Sequence, residues 1–121
     1  MKILNLFSGM GCDLMFHERT NLPPLTKVYH ADVDKYSVAV DKFLHPEVIQ
    51  LGDVTKIKGS DLGHIDLLLG GSPCQGFSFS GKQLAFDDPR SKLFFEFVRI
   101  LEELKEINPK IHFLLENFFF F

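Results

Sequence analysis

The feature that most narrows the fold of this chain is a short apolar run closed by glycines. Ile65-Asp66-Leu67-Leu68-Leu69 is followed at once by Gly70-Gly71-Ser72-Pro73-Cys74-Gln75-Gly76-Phe77-Ser78. A run so short and so bounded reads as a buried strand. The chain leaves that strand, turns on two glycines, and presents one cysteine just after a proline that fixes its approach. A thiol at such a position sits at the carboxyl edge of a sheet, where α/β proteins bind and transform ligands. A free cysteine is also commonly an inert, buried small hydrophobe, so position alone leaves both roles open for Cys74.

The strand-then-turn pattern recurs along the chain. Residues 2–7 read as a first strand, broken by Ser8-Gly9-Met10-Gly11 before a helix that starts at Cys12. A strand, a glycine turn and a helix start can form a nucleotide-cofactor site, although glycine turns after strands are common. Asn21-Leu22-Pro23-Pro24 is a loop, and residues 26–31 read as a second strand ending in Asp32-Val33-Asp34. Asp34 is placed to N-cap the helix that starts at Lys35, and His45-Pro46 ends that helix. Residues 48–51 form a brief third strand, and residues 56–63 a polar connection to the strand at 65–69. A long segment punctuated by glycine, serine and proline follows Cys74. Ser91 can then cap a helix with Phe94, Phe95, Val98, Leu101 and Leu104 on one face. That stripe reads as core packing, not an aromatic platform for nucleic acid, with Glu102, Glu103, Lys105 and Glu106 on the solvated side. Asn108-Pro109 ends the helix, and residues 111–115 are the last strand. Five strands alternating with helices predict an α/β fold, a parallel doubly wound sheet of order 3-2-1-4-5 with right-handed crossovers.

Composition narrows the setting. A chain of 121 residues has room for one domain with a modest core. Its 45% hydrophobic and 24% charged content is that of a soluble globular protein. No apolar run approaches the roughly 20 residues of a membrane span, and the start lacks a signal peptide's apolar stretch. Cys12 and Cys74 make no disulfide framework, so a reducing compartment is expected: the cytoplasm, or the nucleus of a eukaryote. The histidines His17, His30, His45, His64 and His112 show no short metal-ligand spacing, and no zinc site is expected. Net charge is −3, and Lys56, Lys58 and Lys82 are scattered. Proteins that grip duplex DNA usually present a basic face. Either such a surface lies outside these residues, or nucleic acid is not the substrate.

The string Gly70–Ser78 closely resembles the catalytic loop of the DNA cytosine-5 methyltransferases, in which the cysteine after proline is the nucleophile. Four further motifs agree in order. Phe7-Ser8-Gly9-Met10-Gly11 is similar to the family's Phe-x-Gly-x-Gly-Gly cofactor motif, with Cys12 in the place of its last glycine. Asp32 stands where the family usually has a glutamate that holds the ribose hydroxyls, and Val33 is implied to lie against the adenine. Gly52-Asp53-Val54-Thr55 resembles a turn whose aspartate contacts the adenine amino group; without the resemblance, Asp53 is an ordinary turn aspartate satisfying its own backbone. Glu116-Asn117 resembles the Glu-Asn-Val motif whose glutamate holds the target base, which requires a carboxyl pKa raised by burial. Leu93 is implied to touch the cofactor, as is Pro73.

The resemblance implies a Rossmann-like S-adenosylmethionine-dependent methyltransferase fold, truncated after its fifth strand. Residues 1–117 are then a partial cofactor-binding and catalytic domain. The duplex DNA from which a cytosine is flipped would be held by parts beyond Phe121, above all the target-recognition domain and an arginine-bearing motif. A second polypeptide could supply them. Phe118 to Phe121 departs from the family pattern and reads as a disrupted end, or else as a short partner-binding tail. The expected reaction is methyl transfer from S-adenosylmethionine to C5 of cytosine in DNA through a covalent Cys74 adduct, with these residues inactive alone. A tRNA cytosine-5 methyltransferase and a non-catalytic remnant or decoy are the alternatives.

Overall fold

The computed structural model describes residues 1–71 and 92–116. Five strands, β1 (Lys2–Leu6), β2 (Lys27–Ala31), β3 (Ile49–Gln50), β4 (Leu67–Gly70) and β5 (His112–Leu115), form one parallel sheet of order β3-β2-β1-β4-β5. This is the expected order. Three helices connect them: α1 (Cys12–Glu18), α2 (Lys35–Leu44) and α3 (Lys92–Ile107). The polar connection before β4 forms two 3₁₀ turns, Val54–Lys56 and Gly59–Asp61.

The two faces of the sheet are covered by different elements. Leu4, Leu6, Tyr29, Ala31 and Leu68 meet Phe97, Ile100 and Leu104 of α3, with Val54 of the first 3₁₀ turn and Ile57 that follows it. On the opposite face Val28 and Val48 pack with Leu14 of α1. Alternation along β1 and β2 sorts side chains to these two layers, which makes the sheet doubly wound.

The phase of α3 differs from the sequence expectation. Phe97, Ile100 and Leu104 are the buried residues, with Leu93 and Leu101 packed beside them, whereas Phe95 is 42% exposed. Apolar residues occupy so much of Leu93–Leu104 that helical spacing alone fits two neighbouring faces. Gly70 decides between them: a Cβ there would lie 2.6 Å from Phe97 Cδ2, so the bare β4 backbone makes the space that Phe97 fills.

Asp34 caps α2 as expected, its side chain accepting from the Ser37 amide at 3.1 Å. The N-cap of α1 is Gly11, at φ 79°, and Cys12 follows it with an exposed side chain. Cysteine in place of glycine therefore meets no obstruction at this position. The expected cap of α3, Ser91, and the terminal phenylalanines lie outside the described residues.

Candidate functional site

The carboxyl ends of β1, β2 and β4 converge on one cleft of about 350 Å³, a size within the range of small-molecule sites. Its lining includes Phe7, Asp32, Val33, Asp53 and Leu93, five residues that the sequence reading assigned to cofactor binding. Ala31, Gly52, Val54 and Gly71 complete it.

Each wall has a local cause. β1 stops at Leu6 because Phe7 takes a left-handed conformation, φ 59°, which is costly for a bulky residue and places its side chain in the cleft. The amides of Phe7 and Ser8 both donate to Ala31 O, at 2.8 and 3.2 Å, so the turn is tied to the end of β2. Asp32 continues that tie. Its Oδ2 accepts from the Gly9 amide at 2.8 Å and its Oδ1 from the Asp34 amide at 2.9 Å. An ionised carboxylate offers about four acceptor positions, so two remain for a ligand. Val33, 74% exposed, lines the cleft beside Asp32 with an apolar side chain.

Asp53 has a firm local role. Its Oδ1 accepts from the amide and hydroxyl of Thr55, at 2.9 and 2.8 Å, and the amide bond leads the effects that lower its pKa. This is the ordinary turn aspartate of the sequence analysis, and the same side chain also faces the cleft. Arg99 of α3 holds that turn in place, donating to Ile57 O at 2.8 Å and Val54 O at 3.2 Å.

Ser8, Gly9 and Gly11 form the turn behind the cleft rather than its lining. Glu116 donates its amide to Gly70 O at 2.8 Å, which sets it beside Gly71, the residue that leads toward Cys74 in sequence. Its side chain is exposed, so the described residues do not supply the burial expected of it. Pro73 and Cys74 lie outside the described residues. Among the described residues no group of His, Cys, Asp and Glu side chains could hold a metal ion, and no helix is long and apolar enough to cross a membrane.

Sequence reasoning missed a buried polar cluster behind the turn, His30 with Asp13, Asp41 and Gln50. A signal was available: Asp41 stands at the position of α2 that faces the sheet, where an apolar residue is the rule.

A model of the C-5 cytosine-specific DNA methylase family matches residues 1–118. The chain belongs to this family. Among curated relatives, the Type II methyltransferase M1.ScrFI of Lactococcus lactis subsp. cremoris is 42% identical over 117 residues, 96% of this chain and 28% of the relative. The orphan methyltransferase M.SPRI of Bacillus phage SPR is 39% identical over 119 residues, 97% of this chain and 26% of the relative. The chain thus spans under a third of the length of these two proteins. A crystal structure of a Spodoptera frugiperda DNMT2 variant matches with a TM-score of 0.72 at 28% identity, covering 96% of this chain and 35% of that one. The five strands described here are accordingly part of a Rossmann-like methyltransferase sheet.

Proposed function

We propose that this chain carries the cofactor-binding and nucleophile-bearing part of an S-adenosylmethionine-dependent DNA cytosine-5 methyltransferase. The observation that carries the reading is the cleft at the carboxyl edge of the sheet, where Phe7, Asp32, Val33, Asp53 and Leu93 meet. The residues fit the cofactor: free acceptor positions on Asp32 for the ribose, an exposed Val33 for the adenine, and Asp53 at the far wall. Substrate choice follows from the relatives, which are Type II and phage methyltransferases of a cytosine-specific DNA family.

Cytosine C5 is a poor nucleophile. The Cys74 thiolate adds its electron pair to C6, and the C5–C6 π electrons move onto C5. Glu116 donates a proton toward N3 and draws charge from the ring, which an acid shielded from water does best. When bound, S-adenosylmethionine supplies an electrophilic methyl group on a sulfonium sulfur. After C5 has taken the methyl and lost its proton to a base, the C6–S bond breaks, the Cys74 thiolate leaves with its electron pair, and the N3 proton returns to Glu116. Neither residue can reach a stacked base, so the target nucleotide must leave the duplex. The duplex-holding surface belongs to segments beyond the described residues, carried on the same chain or on a second polypeptide.

The test joins this chain to the remaining length of a Type II relative and measures tritiated methyl transfer to cytosine-rich DNA and to tRNA. Transfer to DNA that Cys74→Ser abolishes is the expected result. Transfer to tRNA alone would replace the proposed substrate, and silence with both would mark a non-catalytic remnant.

A further inference from the structure

Behind the glycine turn lies a buried cluster that the proposed chemistry does not use. His30 on β2 is fully buried, and both of its ring nitrogens face carboxylates. Nδ1 is 2.6 Å from Asp41 Oδ2 on α2, and Nε2 is 3.1 Å from Asp13 Oδ2 on α1. Gln50 on β3 donates its amide to the same Asp41 oxygen at 2.6 Å. A neutral imidazole has one N–H and one lone pair, so it can serve only one of two ionised acceptors. The doubly protonated ring serves both, through charge-assisted bonds. Burial alone pulls the His30 pKa down, but the hydrogen bonds and charges of Asp13 and Asp41 outweigh it and hold the pKa above the ordinary 6.5. The charged groups facing the ring are these two aspartates, from α1 and α2; β3 contributes the Gln50 amide and β1 the neutral Asn5 in register.

The cluster is in contact with the turn itself. A Cβ at Gly11 would collide with Asp41 Oδ1 and lie 3.1 Å from His30 Cε1. Asp41 Oδ1 and Asp13 Oδ1 are buried without a partner among the described residues. Two carboxylates, Asp41 fully buried and Asp13 largely so, therefore sit against the turn and the start of α1, compensated by one ring and one amide. If the ring loses its charge, the pair repel each other in a poorly solvated space, and α1 is the element that can move away.

We infer that His30, as an imidazolium held between Asp13 and Asp41, is a positioning residue that locks the Gly9–Gly11 turn in its cofactor-ready shape. The inference rests on the cofactor reading above for what the turn is ready to receive. It also makes the affinity for cofactor depend on a group that never touches it.

The experiment uses the 121-residue chain and two variants, His30→Gln and Asp13→Asn. Asp13→Asn preserves shape at a partly exposed site, and so keeps the test open if His30→Gln does not fold. Nitrogen-15 spectra of the imidazole should show both His30 nitrogens protonated at neutral pH in the wild type. Hydrogen exchange at the Gly9 and Gly11 amides should quicken about tenfold or more in either folded variant, the equivalent of one decade in the opening equilibrium. Calorimetry with S-adenosylhomocysteine should show wild-type affinity falling as pH rises through the His30 titration, and no such break in His30→Gln. A neutral His30 in the wild type, or unchanged exchange in the variants, overturns the inference. Absence of S-adenosylhomocysteine binding by the wild type, with the exchange difference intact, overturns the cofactor reading and the cofactor-positioning role while leaving the lock on the turn.

Discussion

The Gly9 amide donates a 2.8 Å hydrogen bond to Asp32 Oδ2, which fastens the turn after β1 to the residue that ends β2. One side chain therefore both shapes the turn and faces the cleft. Asp32→Ala removes the acceptor for Gly9 and Asp34 together and, on the proposed cofactor reading, the partner of the ribose as well. Each unmade bond to a charged group is worth roughly 1.5–3 kcal/mol, so S-adenosylhomocysteine affinity should fall by tenfold or more. Calorimetric titration of the two chains checks this, and equal affinity would show that Asp32 is only a turn residue.

Phe97 and Gly70 are a matched pair, and each is predicted to fail without the other. Phe97→Ala empties a fully buried site and should cost about 3–5 kcal/mol. Gly70→Ala pushes a methyl into the Phe97 ring and should cost about 1–3 kcal/mol. Denaturant unfolding of both, and of the double variant, measures the coupling; strict additivity would contradict the packing described.

The strand order and the turns were legible because short apolar runs closed by glycine leave few topologies. The cleft was legible in part, since Phe7, Asp32, Val33 and Asp53 lie in strand-turn motifs that resemble those of the methyltransferase family, and Leu93 was implied by the same resemblance. The phase of α3 was not, because Phe94, Phe95, Phe97 and Val98 offer two apolar faces and only Gly70, distant in sequence, selects one. His30 was read as an ordinary strand residue for the same reason. Its partners Asp13 and Asp41 come from separate helices; Asp41 on the inner face of α2 signals a buried partner, but no local pattern says which one.

Arg99 ties the 3₁₀ turn after Asp53 to α3 through two backbone carbonyls, and Glu96 and Glu103 hold its guanidinium at 2.7 and 2.8 Å. A lysine cannot make this fork. Arg99→Lys and Arg99→Met should both lose roughly 1–3 kcal/mol of stability, most of it from the released carbonyls. Thermal unfolding tests the loss, and a Lys variant as stable as the wild type would show that charge alone suffices.

Stability should be dome-shaped in pH. Hydrogen bonding to Ser37, Thr55 and the Lys2 amide holds the carboxyls of Asp34, Asp53 and Asp66 below the ordinary 3.8. Their contribution is complete above that value and is lost as pH falls through the lowered pKa values. His30 acts with the opposite sign. Its pKa is raised by Asp13 and Asp41, so its contribution is complete below 6.5 and is lost as pH rises through the higher folded value. Unfolding followed from pH 3 to 9 should therefore weaken at both ends, and His30→Gln should lose the alkaline decline alone.

Gly11→Ala is the severest small change predicted here, and Cys12→Gly beside it the mildest. Gly11 sits at φ 79°, where an L side chain costs about 1–2 kcal/mol. Its missing side chain is also the space taken by Asp41 Oδ1, so overpacking adds about 1–3 kcal/mol in a cluster with no slack. Together these approach half the stability of a small domain, which is of order 5–15 kcal/mol. Cys12 is exposed, and its replacement by glycine should cost only about 0.3–0.5 kcal/mol of helix propensity. Unfolding midpoints of the two variants, taken with their affinity for S-adenosylhomocysteine, check both. A Gly11→Ala chain with wild-type stability would mean that the turn can rearrange without the His30 cluster, and that the contact between Gly11 and Asp41 does not govern its shape.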